Sequence, residues 1–192
     1  MISNESGLEY GGIKDGYLTT ATQCPSPNAN QRPSGTSTSL LVIHNISLPP
    51  GEFGTGCVQK FFTNQLDSSL HPYFDTIAEL QVSAHIFIER TGNIIQFVPF
   101  DARAWHAGAS SFRGVANCND YSIGIELEGC DDIAYTDAQY EALAGLAREI
   151  LVAYPDITPD RIVGHNQIAP ERKTDPGEAF DWARFHQLLE SN

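Results

Sequence analysis

Three side chains of this sequence have the types and the spacing of ligands for a catalytic metal. His44 and His165 each follow a short apolar run, and Asp175 lies ten residues after His165 in a loop bounded by prolines. A catalytic zinc ion takes three protein ligands from histidine nitrogens and from carboxylate or thiolate groups, and it keeps a fourth position open for water. His44, His165 and Asp175 therefore form a candidate zinc site.

The same residues also have ordinary structural interpretations. A histidine after an apolar strand is often only hydrogen-bonded, and the loop that holds His165 can be an ion-paired turn. Spacing alone does not bring His44 and His165 together. Adjacent strands, however, would place the ends of their two apolar runs side by side.

A second group of residues suits acid-base chemistry. Residues 122–129 alternate strictly, so Glu126 and Glu128 share one face of a predicted strand, opposite the face of Ile123, Ile125 and Leu127. A solvated polar face is the ordinary interpretation of such a pattern. Lys173 is usually a surface residue type, and its position two residues before Asp175 makes it a candidate for stabilising an oxyanion.

The two glutamates also raise the possibility of a glycosidase carboxylate pair. Two residues apart on one strand, their Cα atoms would lie roughly 6.5 to 7 Å from one another. Glycosidase carboxylates flank the scissile bond from opposite sides, however, and Glu126 and Glu128 would lie on the same wall.

The segment around Trp105 has two interpretations. An indole ring can stack on a sugar, and arginines such as Arg113 bind carboxylates through two hydrogen bonds. Trp105 can equally anchor the core, with His106 and the arginines as ordinary neighbours.

Hydrophobic patterns predict one domain with a mixed central sheet flanked by helices, an α/β or α+β fold. Residues 1–38 are rich in turn-forming types and predict an N-terminal arm packed on a domain of residues 39–192. The predicted strands are 40–43, 82–89, 94–98, 122–129 and 162–163. The predicted helices are 57–66, 140–154 after a capping box at Thr136, and 181–189, which would bury Trp182, Phe185 and Leu188.

Composition excludes some partners. The chain of 192 residues carries 11 basic and 24 acidic side chains, a net charge of −13, which argues against nucleic acid and anionic membranes. Residues 1–20 contain no readable signal or membrane span, which predicts a cytosolic protein. The scattered cysteines do not resemble a disulfide framework, so we expect reduced thiols at Cys24, Cys57, Cys118 and Cys130.

Several segments resemble a known family, the cytosolic zinc amidases that recycle cell-wall fragments. These are the 1,6-anhydro-N-acetylmuramoyl-L-alanine amidases, within the wider group of peptidoglycan amidases and recognition proteins. The resemblance runs from about Gly16 to Trp182 and rests on Leu41–Gly54, Val82–His85, Ala104–Gly108, Ser122–Gly129 and Ile168–Gly177.

The resemblance implies roles for individual residues. It implies zinc on the three candidate ligands named above, Glu126 rather than Glu128 as proton acceptor, and Lys173 as stabiliser of the transition state. The implied reaction hydrolyses the amide bond between the lactyl group of 1,6-anhydro-N-acetylmuramic acid and L-alanine of a muropeptide. Asn45, Trp105 and His106 are expected near the substrate, and Arg113 is a further candidate contact.

Two departures from the family pattern concern substrate contacts. Family members often carry a basic residue where this chain has Gln81, and again where it has Asn117. A muropeptide-binding regulator without turnover is the main alternative function, although such proteins usually lack a zinc ligand. We expect a monomer with an anhydro-muropeptide as its partner.

Overall fold

A computed structural model describes residues 12–191. Its strands, in chain order, are β1 (Ile13–Lys14), β2 (Tyr17–Leu18), β3 (Thr22–Gln23), β4 (Ala29–Gln31), β5 (Leu40–Ile46), β6 (Ile86–Ile88), β7 (Ile94–Gln96), β8 (Ala102–Ala104), β9 (Ser111–Phe112), β10 (Val115–Ala116), β11 (Ser122–Glu128) and β12 (Ile162–Gly164). Its helices are α1 (Cys57–Phe62), α2 (Pro72–Asp75), α3 (Asp137–Ala153), α4 (His165–Ile168) and α5 (Trp182–Glu190).

Six strands form a mixed central sheet in the order β12, β5, β11, β6, β7, β3. The first four strands run parallel to one another, β6 and β7 form an antiparallel hairpin, and β3 adds a parallel edge. Helices cover this sheet, so the predicted fold class is confirmed. Within residues 12–191, no helix is both long and apolar enough to span a membrane.

Alternating side chains of β5 and β11 divide the sheet into two different faces. On one face, apolar side chains from both strands pack against α3 and α5 in the main core, namely Leu41, Ile43, Ile123, Ile125 and Leu127. The opposite face carries His44, Ser122, Glu126 and Glu128, together with the apolar Leu40 and Val42 at the start of β5. The predicted sharing of one face by the three apolar residues of β11 is confirmed.

Local sequence signals explain the principal helices. The predicted capping box of α3 is present. The Thr136 hydroxyl accepts a hydrogen bond from the Gln139 backbone N–H, and the Gln139 side-chain oxygen accepts one from the Thr136 backbone N–H. Helix α5 begins after Asp181, whose carboxylate caps the Arg184 backbone. Phe185 is fully buried, whereas the expected neighbours Trp182 and Leu188 are only half-buried against the core.

Three elements are at least two residues shorter than predicted, and one of them, β7, ends at Gln96 instead of Val98. Helix α1 ends at Phe62 instead of Leu66 because the chain turns at Asn64, which has a φ of 58°. Strand β6 begins at Ile86 instead of Val82, since Ser83 bonds to the backbone of Trp105 rather than to the sheet.

The N-terminal arm contributes more to the fold than a draped segment would. Of its described residues, 12–38, β3 forms an edge of the central sheet, and β4 pairs with β8 just before Trp105. Leu18 is buried in the main core. The arm therefore belongs to the folded domain.

Arg32 of the arm crosses the interior beside a buried histidine. Its guanidinium donates to the carbonyl oxygens of Phe100 and Ser122, and its Nη2 lies 3.2 Å from His85 Nε2. His85 Nδ1 accepts from the Gly124 backbone, which leaves the ring proton on Nε2, facing the Ala102 carbonyl. Burial, and then the charge of Arg32, lower the pKa of His85 to about 3.

We predict that His85 makes the protein less stable as the pH falls below 6.5. The unfolded chain binds a proton at His85 below this pH, but the folded protein does so only near pH 3, so the free energy of unfolding falls by up to about 1.4 kcal/mol per pH unit. His85→Asn keeps an acceptor for Gly124 and cannot titrate. Urea unfolding should show that the stability gap between wild type and this variant narrows from pH 7 to pH 5, whereas parallel curves would refute the assignment.

Candidate metal centre

The three candidate ligands converge on one point at the polar face of the sheet. His44 Nδ1 lies 2.9 Å from His165 Nδ1, and Asp175 Oδ2 lies 3.1 Å from the first of these atoms and 3.0 Å from the second. All three residues are buried, and one ligand atom from each lies within 4.8 Å of the others. Together these residues form a group that can hold a metal ion.

Strand register brings the two histidines together. In the parallel pair of β5 and β12, Ile43 lies opposite Gly164, so the next residues along the chain are His44 and His165. The expectation that the two apolar runs end side by side is therefore confirmed. Asp175 lies on the loop that follows α4. The backbone N–H of Asn166 donates to the Asp175 carbonyl oxygen at 3.0 Å, which holds this loop close to His165.

Asn45 and Tyr135 fasten the loop that carries Asp175. The Asn45 side-chain amide donates to Asp131 Oδ1, Tyr135 Oη and the carbonyl oxygen of Pro176, all within 3.1 Å. Tyr135 Oη donates to the same Pro176 carbonyl at 2.7 Å. Asn45 also lines the cavity described below. It therefore has a structural role, and its contact with substrate remains a prediction.

The protonation states suit a metal site. Burial lowers the pKa of His44 to about 4, so this imidazole is neutral at pH 7. Burial alone would raise the pKa of Asp175, but hydrogen bonds from His165 and His44 outweigh it and hold the pKa below its usual range. A neutral histidine and an ionised carboxylate are the forms that bind metals.

Glu126 stands next to the ligand group. It lies opposite His44 in the parallel register of β11 and β5, so both side chains point to the same face. The carboxyl is buried, and its Oε2 has no hydrogen-bond partner within residues 12–191. Burial, and then the charge of Asp175, raise the pKa of Glu126 well above its usual value. A raised pKa makes a carboxyl group better suited to give up a proton as a general acid than an ordinary glutamate.

Glu128 has a different environment although it shares the face of Glu126. Its Oε1 accepts from the Gly54 backbone at 2.5 Å, and its Oε2 accepts from the Arg90 backbone at 3.0 Å. Both glutamates are buried, so the solvated-face interpretation is wrong for this strand. Because both Glu128 oxygens bind backbone N–H groups, Glu128 supports the fold and is not one of a pair of free carboxylates.

A cavity of about 590 Å³ opens beside the ligand group. Its lining includes Glu126 and Lys173 together with apolar side chains, among them Phe61, Tyr73 and Leu80. The half-buried Lys173 side chain makes no hydrogen bond or ion pair within the described part of the chain, and its charge opposes the rise in the pKa of Glu126. A cationic group therefore lines the cavity beside Glu126.

The remaining predicted contacts lie in two different places. His106 lines the cavity. Trp105 and Arg113 do not; the indole N–H donates to Asn30 Oδ1 at 2.7 Å, and Arg113 pairs with Asp160 on the surface. Their substrate contacts remain predictions. Gln81 and Asn117 are exposed and lie outside this lining.

Three supporting residues escaped the reasoning from sequence: Asn119, Ser122 and Tyr135. Asn119 is buried and accepts from the backbone of His106 and Ala107. Ser122 and Tyr135 bond to His106 and to the Asp175 loop, respectively. These contacts join residues 12 to 41 positions apart in the chain, and no local sequence pattern marks them.

A mixed sheet that carries a buried His–His–Asp group, an unpartnered glutamate and a lysine-lined cavity defines a candidate single-metal hydrolase. Comparison with known proteins agrees with this class. Residues 34–178 match the family model described as N-acetylmuramoyl-L-alanine amidase. The chain belongs to the N-acetylmuramoyl-L-alanine amidase family.

Individual relatives make the comparison more specific. The chain is 55% identical over 177 residues to the 1,6-anhydro-N-acetylmuramyl-L-alanine amidase AmpD of Citrobacter freundii, covering 92% of this chain and 94% of the relative. A crystal structure of an AmpD derivative superposes with a TM-score of 0.90 at 55% identity, covering 92% of this chain and 98% of that one.

A more distant structure contains a bound substrate. The amidase AmiD from E. coli, solved with anhydro-N-acetylmuramic acid-L-Ala-D-γ-Glu-L-Lys, has a TM-score of 0.58 at 32% identity. The alignment covers 94% of this chain and 66% of AmiD.

We predict that Glu128 contributes to stability and not to metal binding. In Glu128→Gln, the side-chain NH₂ group would face one of the two backbone N–H groups that donate to the carboxylate. Loss of that hydrogen bond should lower the free energy of unfolding by about 1 to 3 kcal/mol. The exposed Glu190→Gln should change it by less than about 0.5 kcal/mol. Denaturant unfolding and metal titration of both variants test this prediction, and loss of metal affinity in Glu128→Gln would contradict it.

Proposed function

We propose that this protein hydrolyses the amide bond between the lactyl group of 1,6-anhydro-N-acetylmuramic acid and the L-alanine of muropeptides, with zinc as its metal. The observation that carries the proposal is the convergence of His44, His165 and Asp175 beside the unpartnered carboxyl of Glu126. The substrate class follows from the names of the similar AmpD proteins and from the ligand bound to AmiD.

The donor set supports zinc. Two histidine nitrogens and one carboxylate oxygen are a ligand combination of catalytic zinc sites, which keep a fourth position for water or substrate. In a tetrahedral site with bonds of about 2.0 to 2.2 Å, ligand atoms lie about 3.3 to 3.6 Å apart. The ligand atoms here are separated by 2.9 to 3.1 Å, so a few tenths of an ångström of outward movement would admit the ion.

In this mechanism, His44, His165 and Asp175 would hold the zinc, which when bound supplies Lewis acidity toward water and the substrate carbonyl. Glu126 accepts a proton from the attacking water, and its raised pKa suits it to return that proton to the departing amine of L-alanine. Lys173 stabilises the negative charge that develops on the carbonyl oxygen. The products are a free peptide amine and a lactyl carboxylate on the sugar.

The proposal is tested by mass spectrometry of anhydro-muramoyl-tripeptide incubated with purified protein, with and without a zinc chelator. We expect free tripeptide and anhydro-muramic acid, and we expect both to disappear under chelation and to return when zinc is added. With a disaccharide form of the substrate, release of a free sugar while the peptide stays attached to the other sugar would indicate a glycosidase. Unchanged substrate with the zinc-loaded protein would favour the muropeptide-binding regulator.

Glu126→Gln separates chemistry from metal binding in the same assay. Loss of the general base should lower kcat on the order of 10² to 10⁴-fold while zinc binding is retained. His165→Ala should lose the metal together with activity. Glu190→Gln, exposed on α5, is the matched control and should behave as wild type. A fully active Glu126→Gln enzyme would refute the assignment of the base.

We also propose that the protein is a cytoplasmic monomer that acts in cell-wall recycling. All four cysteines are free thiols in the structure, which suits a reducing compartment. Fractionation of cells that make the native protein tests the compartment, and size-exclusion chromatography of the purified protein tests the oligomeric state.

A further inference from the structure

The two histidines of the metal site direct their outer nitrogens to adjacent residues of one segment. His44 Nε2 lies 2.8 Å from His106 Nδ1, and His165 Nε2 lies 3.2 Å from the carbonyl oxygen of Ala107. Metal-binding histidines in proteins generally donate this second N–H to a fixed acceptor, which sets the ring orientation and the tautomer. Residues 106–107, which we call the support segment, provide both acceptors.

Metal binding at Nδ1 of His44 would select one position for each ring proton along this chain of contacts. With a metal bound at Nδ1 of His44, the proton of its neutral ring would lie on Nε2, 2.8 Å from His106 Nδ1, and would be donated to that atom. His106 then carries its own proton on Nε2, which donates to Ser122 Oγ at 3.0 Å. Both ring nitrogens of His106 are therefore occupied by protein groups, although the ring borders the cavity.

The support segment is itself held rigidly. Asn119 Oδ1 accepts from the backbone N–H groups of both His106 and Ala107, at 3.1 and 2.8 Å. Arg172 donates to the Ala107 carbonyl at 2.8 Å. A Cβ at Gly124 would lie 2.4 Å from Cγ of His106, so the absence of a side chain on β11 makes room for the imidazole.

We propose that His106 is a positioning residue that fixes the tautomer and orientation of the metal ligand His44, and that Asn119 holds His106 in place. This inference rests on the metal site of the proposed function. An imidazole acceptor orients His44 without adding negative charge, whereas a carboxylate acceptor would place a second anion near the metal beside Asp175. His106 acts through His44 and does not require contact with substrate.

The experiment measures zinc affinity by competition with a chromophoric chelator in wild type, His106→Ala and His106→Asn. Removing the acceptor in His106→Ala should weaken zinc binding about 10 to 100-fold. The Asn side chain can place Oδ1 where the imidazole has Nδ1, so His106→Asn should recover most of the affinity. Cys118 is buried beside Asn119 in the sequence but bonds to none of the candidate metal ligands. The control variant Cys118→Ala should therefore match wild type in zinc affinity.

A spectroscopic readout separates positioning from a general loss of structure. In ¹⁵N-labelled zinc-loaded protein, the Nε2–H signal of His44 should be protected from exchange in wild type and His106→Asn, and should exchange rapidly in His106→Ala. Zinc affinity of His106→Ala within twofold of wild type, or an unchanged Nε2–H signal, would overturn the inference. Failure of wild type to bind zinc would overturn the proposed metal site as well, so the two failures are distinguishable.

Discussion

The parallel register of β5 with β11 and β12 is the constraint on which the site depends. It sets Glu126 opposite His44 and brings Gly164 opposite Ile43, so that His165 follows at the same edge. Side chains alternate along a strand, so a slip of one residue would turn the glutamate into the apolar core and remove it from the metal ligands. The apolar residues packed under α3 on the opposite face oppose such a slip.

The buried polar groups around the metal site are stabilised by hydrogen bonds to the protein instead of by solvent. Asn45 and Tyr135 secure the loop of Asp175, and Glu128 receives two backbone N–H groups from distant loops. Buried polar groups are costly unless they are paired. Against this background the unpartnered Oε2 of Glu126 is an exception, and the proposed mechanism uses this carboxyl group as the proton acceptor.

Local patterns were sufficient for much of the fold and for the principal candidate residues. The alternation of β11 assigned its two faces correctly, and the capping box located the start of α3. Alternation could not show that both faces are buried, because a polar face is equally compatible with solvent. Resemblance to the amidase family separated Glu126 from Glu128, and the structure supplies a physical reason in their different hydrogen bonding.

Long-range contacts account for what the sequence did not reveal. Strand β3 is two residues long and lacks hydrophobic periodicity, and its place in the sheet depends on pairing with β7 across more than 70 positions. The acceptors of the support segment likewise depend on Asn119 and Ser122, whose side chains have many ordinary uses. Such contacts become visible only when the chain is folded.

The most direct test of the central claim is a zinc titration of the metal-free protein, with release of tripeptide from anhydro-muramoyl-tripeptide as the readout. A single site formed by His44, His165 and Asp175 predicts that activity rises linearly and reaches its plateau at one equivalent of zinc. Activity that is already full in the metal-free protein, or that needs two equivalents, would contradict a single zinc site as the centre of catalysis.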